Sequence, residues 1–181
     1  MKKQPKIWLI TDTHFGHDKM VEYCGRPKDH SYLILNNLEK AIKPGDTLIH
    51  LGDFCIGEDE KWMRYFHELT VAAKTILVRG NHDHKSDNWY ITHGFDAVVE
   101  SFVNTYFGKK ILFSHIPQKK QEGIDFNVHG HFHNADHRRT EPELQALYDH
   151  DYHKLLAIEN TGLQPVLLET FLSRPSTIGK K

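Results

Sequence analysis

The segment Asn127–His137, "NVHGHFHNADH", carries His129, His131, His133 and His137 within one short run, and the chain as a whole has 15 histidines. Imidazole is the commonest protein ligand for transition metals, so the excess directs attention to other places where His, Asp and Asn gather. They are Asp12-Thr13-His14, Gly52-Asp53, Gly80-Asn81-His82-Asp83, Ser114-His115 and Gly130-His131-Phe132-His133. Together they offer carboxylate, amide and imidazole donors and no thiolate. Such a mixed nitrogen and oxygen set suits Mn, Fe, Zn, Co or Ni better than Ca, and it does not suit a cysteine-type structural zinc.

Each group follows a short apolar run that reads as a strand. The runs are Lys6–Thr11, Thr47–Leu51, Thr75–Val78, Lys110–Ser114 and Phe126–His129. Between the first three, Leu35, Leu38 and Ile42 and then Trp62, Phe66 and Leu69 recur at helical spacing. Strand, helix, strand, helix, strand implies parallel pairing in a layered α/β domain. From about Phe95 the pattern turns β-rich, with residues 97–115 reading as a hairpin around Gly108. Leu155–Asn160 reads as a last strand, and Pro165 as the start of a short helix through Phe171. The expected organisation is one domain over residues 1–172, with 173–181 a loosely held tail. Ligands bind beyond the carboxyl ends of strands in open α/β sheets, so the five polar groups should converge on one edge. Asp12 and His14, two apart, can face the same way, as can His131 and His133. The glycines before Asp53, Asn81 and His131 permit the sharp turns such an edge needs.

In this order, Asp-x-His, Gly-Asp, Gly-Asn-His-Asp, Ser-His and Gly-His-x-His, the motifs resemble those of the calcineurin-like metallophosphoesterases, in a small uncapped bacterial or phage-type branch. The resemblance spans Asp12 to His133. It implies a layered β-sandwich flanked by helices, of four-layer αββα type. It also implies two divalent ions, Mn²⁺ first, with Fe, Zn, Ni, Co or Mg as alternatives. One ion would be held by Asp12, His14, Asp53 and His133, the other by Asp53, Asn81, His115 and His131, with Asp53 shared. His82 would be free to touch a phosphate oxygen or protonate the leaving group, and Asp83 would orient its ring. The implied reaction is phosphoester hydrolysis by in-line attack of a metal-bound hydroxide.

Substrate class narrows further. "GDFCIGEDE" lacks the arginine that follows Gly-Asp in protein Ser/Thr phosphatases, and the later motif reads Asn-His-Asp rather than Asn-His-Glu. Double-strand-break nucleases of the family are much longer. A net charge of −1 gives no basic field for an extended nucleic-acid interface. The expectation is a phosphodiesterase for small or cyclic diesters, nucleotides among them; the alternatives are a phosphomonoesterase or nucleotide phosphatase and a non-catalytic metal-binding scaffold. His17 and Arg138 are candidate substrate contacts. His50 and His129 read as strand residues, His84 and His137 as solvated, and Cys55 as a small core residue rather than a soft ligand. Cys24 and Cys55, the two cysteines, read as free thiols. No stretch reaches membrane-spanning length, and a cytoplasmic protein with no membrane partner is expected.

Overall fold

The computed structural model describes residues 4–134 and 147–174. Two sheets make up its centre. The first has the order β4-β3-β2-β1-β9, built from β1 (Ile7–Ile10), β2 (Thr47–His50), β3 (Lys74–Val78), β4 (Ala97–Val99) and β9 (Val166–Leu167). All its pairs are parallel except β1 with β9. The second has the order β5-β6-β7-β8, from β5 (Ser101–Tyr106), β6 (Lys109–Ser114), β7 (Phe126–His129) and β8 (His153–Leu155).

Alternation along the strands divides the apolar residues between two cores. Leu9, Ile49 and Val78 point to the space between the sheets, where they meet Ile111, Phe113 and Val128. Their neighbours Ile10, Leu48 and Leu77 point outward, against α2 (His30–Ala41) and α3 (Asp59–Thr70). These helices present Ile34, Leu35 and Leu38 and then Trp62, Met63 and Phe66, extending the stripes read from the sequence. α1 (Met20–Cys24), α4 (Asp87–His93) and α5 (Leu168–Ser173) complete the described helices. The fold is thus the expected α/β sandwich flanked by helices. None of its helices, among the described residues, is long and apolar enough to cross a membrane.

Three expectations need correction. The run 97–115 is not one hairpin: Ala97–Val99 pairs parallel with β3, and only β5 and β6 pair antiparallel, around Phe107-Gly108, both at positive φ. The last strand of the second sheet is His153–Leu155; Ile158–Thr161 is instead a single 3₁₀ turn. Pro165 does not open a helix. It precedes Val166–Leu167, which take the free edge of β1, and α5 begins at Leu168. In the first and third cases a strand edge open for pairing outweighed local preference.

Candidate metal centre

The ligand turns lie together because β1 and β2 stay hydrogen-bonded past their ends. Asp12 N donates to Gly52 O, His14 N to Asp53 O and Phe15 N to Phe54 O, at 2.9, 3.0 and 2.9 Å. This parallel run sets Asp12 and His14 beside Asp53. Its cost is backbone strain, since Asp12, His14, Asp53, His131 and His133 all have positive φ, between 45° and 73°. Left-handed non-glycine residues are uncommon and persist where the surroundings over-determine them. The motif glycines divide their work in a way the sequence did not reveal. Gly52 has φ 94° and fits the sharp-turn expectation. Gly80 and Gly130 do not have positive φ; they are small because a Cβ on Gly80 would collide with Asp53 Oδ1, and one on Gly130 with Thr11 Oγ1 and Asp12 Oδ2.

Two clusters of ligand atoms result. In the first, Asp12, His14 and His133 bring donor atoms within 4.8 Å of one another. Asp12 Oδ2 accepts from Thr11 Oγ1 and from His131 N, at 2.6 and 3.0 Å. Asp12 Oδ1 and His14 Nδ1 are buried without a hydrogen-bond partner. Orphaned buried polar atoms are costly, and a divalent cation is the group this donor set fits. In the second cluster Asp53, His115 and His131 converge in the same way, and Asn81 Oδ1 lies 3.1 Å from His115 Nε2. Asp53 joins the two. Its Oδ2 is 3.5 Å from His14 Nε2 and 3.4 Å from His115 Nε2, about the separation of two ligands that share an ion at ~2.1 Å each.

Groups behind the ligands orient the rings. His115 Nδ1–H donates to Leu51 O at 2.7 Å, which turns Nε2 toward Asp53. His133 Nδ1–H donates to Glu159 Oε1 at 3.0 Å, leaving Nε2 to face Asp12 Oδ1 at 3.5 Å. A carboxylate or carbonyl behind a ligating imidazole is the usual device for orienting it. Glu159 is itself paired with the buried Arg26, whose guanidinium also donates to the carbonyl oxygens of Asp12 and Thr13 at 2.7 and 2.8 Å. Neither Arg26 nor Glu159 was identified from the sequence. Lone charges in apolar context, "CGRP" and "LLAIEN", were the available signal.

The electrostatics follow from this enclosure. Burial alone would lower His115, but its contact with Asp53 and the charge of Asp12 push it up to about 9. Burial likewise opposes His133, which Asp12, Cys24 and Glu159 raise to about 10. Burial would raise Glu159, yet His133 and Arg26 hold it down to about 2. His14 is lowered, first by burial. Without a cation, two of the imidazoles therefore carry protons against the carboxylates.

The remaining candidates sort clearly. His82 N donates to Asp53 Oδ1 at 2.8 Å, while its exposed ring lies edge-on to His14, centroids 5.4 Å apart, and hydrogen-bonds to nothing among the described residues. Asp83 does not orient that ring. Its buried carboxylate accepts from the amides of Asp53, Phe54 and Gly80, at 2.9, 2.9 and 2.7 Å, and so staples one motif turn to the next. Consecutive residues of a tight turn send their side chains opposite ways, here one to solvent and one inward. His17 sits half-buried beside His14, ring centroids 5.8 Å apart. His50 and His129 are fully buried, held down to about 3 by burial, and serve as structural rings. His84 is exposed, Cys55 is buried in the helix-side core, and both cysteines are free. Arg138 and His137 lie outside the described residues.

An α/β sandwich with this donor set at its strand ends defines a metal-dependent hydrolase of phosphoesters. The chain matches the calcineurin-like phosphoesterases over residues 5–174 and belongs to that family. It is 29% identical over 140 residues to the uncharacterized protein MJ1445 of Methanocaldococcus jannaschii, covering 73% of this chain and 71% of that one. Among solved structures it resembles the protein of unknown function AQ665 from Aquifex aeolicus, with TM-score 0.72 and 28% identity, over 92% of this chain and 97% of the other.

Proposed function

We propose that the chain is a dinuclear phosphodiesterase for small or cyclic diesters. The observation that supports it most is the place of Asp53 Oδ2, within 3.5 Å of His14 and 3.4 Å of His115. One ion would rest on Asp12, His14, Asp53 and His133, the other on Asp53, Asn81, His115 and His131. Bound divalent ions would supply an acidified water and a counter-charge for the phosphoryl oxygens; Mn²⁺ is proposed first, with Fe, Zn, Ni, Co and Mg as alternatives that this mixed donor set leaves open. His82, tied to Asp53 through its backbone and with a ring that hydrogen-bonds to nothing among the described residues, would give a proton to the departing alkoxide.

The diester preference rests on charge. A monoester is dianionic and calls for additional cationic clamps. Among the described residues, the arginines bordering the ligand turns are already committed, Arg26 to Glu159 and Arg79 to Asp87 and Glu100. A monoanionic diester makes the smaller demand, and its alcohol needs the proton that His82 can provide.

Hydrolysis of bis-p-nitrophenyl phosphate and of p-nitrophenyl phosphate, with Mn²⁺ or with chelator, tests the reading. Metal-dependent turnover should favour the diester. On a diester with an alkoxide leaving group, such as thymidylyl-(3′→5′)-thymidine, His82→Ala should lower turnover by on the order of 10²-fold or more with metal content unchanged. Chelator-resistant hydrolysis, preference for the monoester, or full turnover by the variant would each contradict it.

A further inference from the structure

A cleft of about 290 Å³ opens beside Asn81 and His115, walled by Arg79, Glu100 and the segment Ser114–Gln118. It stands at the small end of pockets that bind small molecules. Its wall is unusually well fixed for a loop. Gln118 N donates to Asn127 Oδ1 at 2.8 Å, and Gln118 O accepts from His153 Nε2–H at 2.9 Å. Asn127 and His153 are both fully buried. The tautomer of His153 is set by the amide of Asp149, which donates to Nδ1 at 2.9 Å. Lys120 adds an ion pair to Asp149 at 2.9 Å. Asn127 Nδ2 also donates to Leu112 O and Ser114 Oγ, at 3.1 and 2.9 Å, so the same side chain braces β6 just before His115.

The backbone N–H and C=O of Gln118, on the two peptide groups that flank it, are thus both held by buried side chains, while the side-chain amide of Gln118 makes no hydrogen bond among the described residues. Next to it Ile116 is 41% exposed and supplies apolar surface. Charge decides what such a wall would accept. Arg79 is met by two acids, Asp87 and Glu100. The side chain of Glu100 is 86% exposed at the rim. Among the described residues, then, the cleft wall offers no uncommitted cation to clamp a further phosphate, while its amide and carboxylate suit hydroxyl or ring N–H groups.

We propose that this cleft is a recognition subsite for one alcohol substituent of the diester, and that it takes a neutral nucleoside-like group rather than a second phosphate. The proposal rests on the diesterase reading above. Gln118 and Glu100 are its specificity-determining residues, and Asn127 and His153 are positioning residues that hold Gln118.

The test uses the metal-loaded full chain and two measurements. The first is kcat/KM for thymidine 5′-(p-nitrophenyl phosphate) relative to bis-p-nitrophenyl phosphate. Gln118→Ala should lower that ratio about tenfold, through KM rather than kcat, as expected for one lost hydrogen bond in a pocket. Adding a 3′-phosphate to the thymidine ester should weaken binding to the wild type, and Glu100→Gln should relieve that penalty. An unchanged ratio in Gln118→Ala, or a wild type that prefers the 3′-phosphorylated ester, would overturn the subsite. The second is calorimetric binding of thymidine 5′-phosphate to the wild type and to Gln118→Ala. If no diester is turned over but binding still weakens about tenfold in the variant, the subsite stands and the diesterase reading fails. If turnover is normal and binding does not depend on Gln118, the reverse holds.

Discussion

On one side of Asp53 the ligand side chains are closed in; on the other they reach toward an open cleft. Asp12, His14 and His133 are at most 3% exposed, and the charged pair Arg26–Glu159 stands directly behind them. Across the shared carboxylate, His115 is buried but His131 is half-buried and Asn81 exposed. The brace there is a backbone carbonyl, that of Leu51. Fixed charge and full desolvation favour a cation that enters once and stays, whereas partial exposure and a neutral brace favour one that exchanges. The two halves should therefore differ in how firmly they would retain a cation, although they draw on the same kinds of donor.

The most damaging way to erase the contrast is to remove what the halves share. Asp53→Asn should lower turnover by on the order of 10³-fold and weaken both binding events in a calorimetric metal titration; loss of only one event would show that Asp53 serves a single ion. A more selective change strikes the enclosed half. Glu159→Ala frees the His133 ring and strands Arg26 in a buried position. It should weaken the tighter binding event by about 10–100-fold and leave the weaker one in place. It should also lower stability by about 3–5 kcal/mol, because an unpaired buried charge remains. Glu159→Gln, which keeps an acceptor for His133, should be milder on both measures, and equal losses from the two variants would argue against an orienting role.

The smallest effect is graded with pH. In the metal-free protein His115 and His133 hold their protons up to about 9 and about 10, well above the ordinary 6.5. A cation must displace those protons, so each binding event should tighten as pH rises, by up to about tenfold per unit between pH 6.5 and 9. The sign for folding is opposite. A raised folded-state pKa stabilises fully below 6.5 and is lost as pH climbs through 9 and 10. Metal-free protein should therefore lose melting temperature over that interval, and metal-loaded protein should not. Parallel curves with and without metal would mean that the two imidazoles do not carry the protons assigned to them.

Ligand types and strand ends were legible because each motif is local: a polar residue at the end of an apolar run is visible within a few positions. The helical stripes on α2 and α3 were legible for the same reason. What escaped depends on distant closure. Arg26 and Glu159 are separated by 133 positions and meet only when the segment after β8 returns to β1. Val166–Leu167 form a strand because β1 has an unpaired edge there, which nothing in a Pro-Val-Leu-Leu run discloses. Asp83 failed differently. Its place in the motif was right, but its neighbours in space are amides of two turns rather than the imidazole beside it in sequence. The glycines show the same limit, since Gly80 and Gly130 answer to side chains from other strands.

The return of residues 159–167 to β1 also sets an order of events during synthesis. A chain leaving the ribosome amino end first presents Asp12, His14 and Asp53 early, and His133 well over a hundred residues later. Glu159 follows, and after it the strand that closes the edge of β1. At translation rates of about 5–20 residues per second, roughly 7–30 seconds separate the first ligand of the enclosed half from the residue that locks its last one. The half that should retain a cation most firmly is thus the one a nascent chain completes last, so a cation would settle there only after Glu159 and the strand that follows it have emerged.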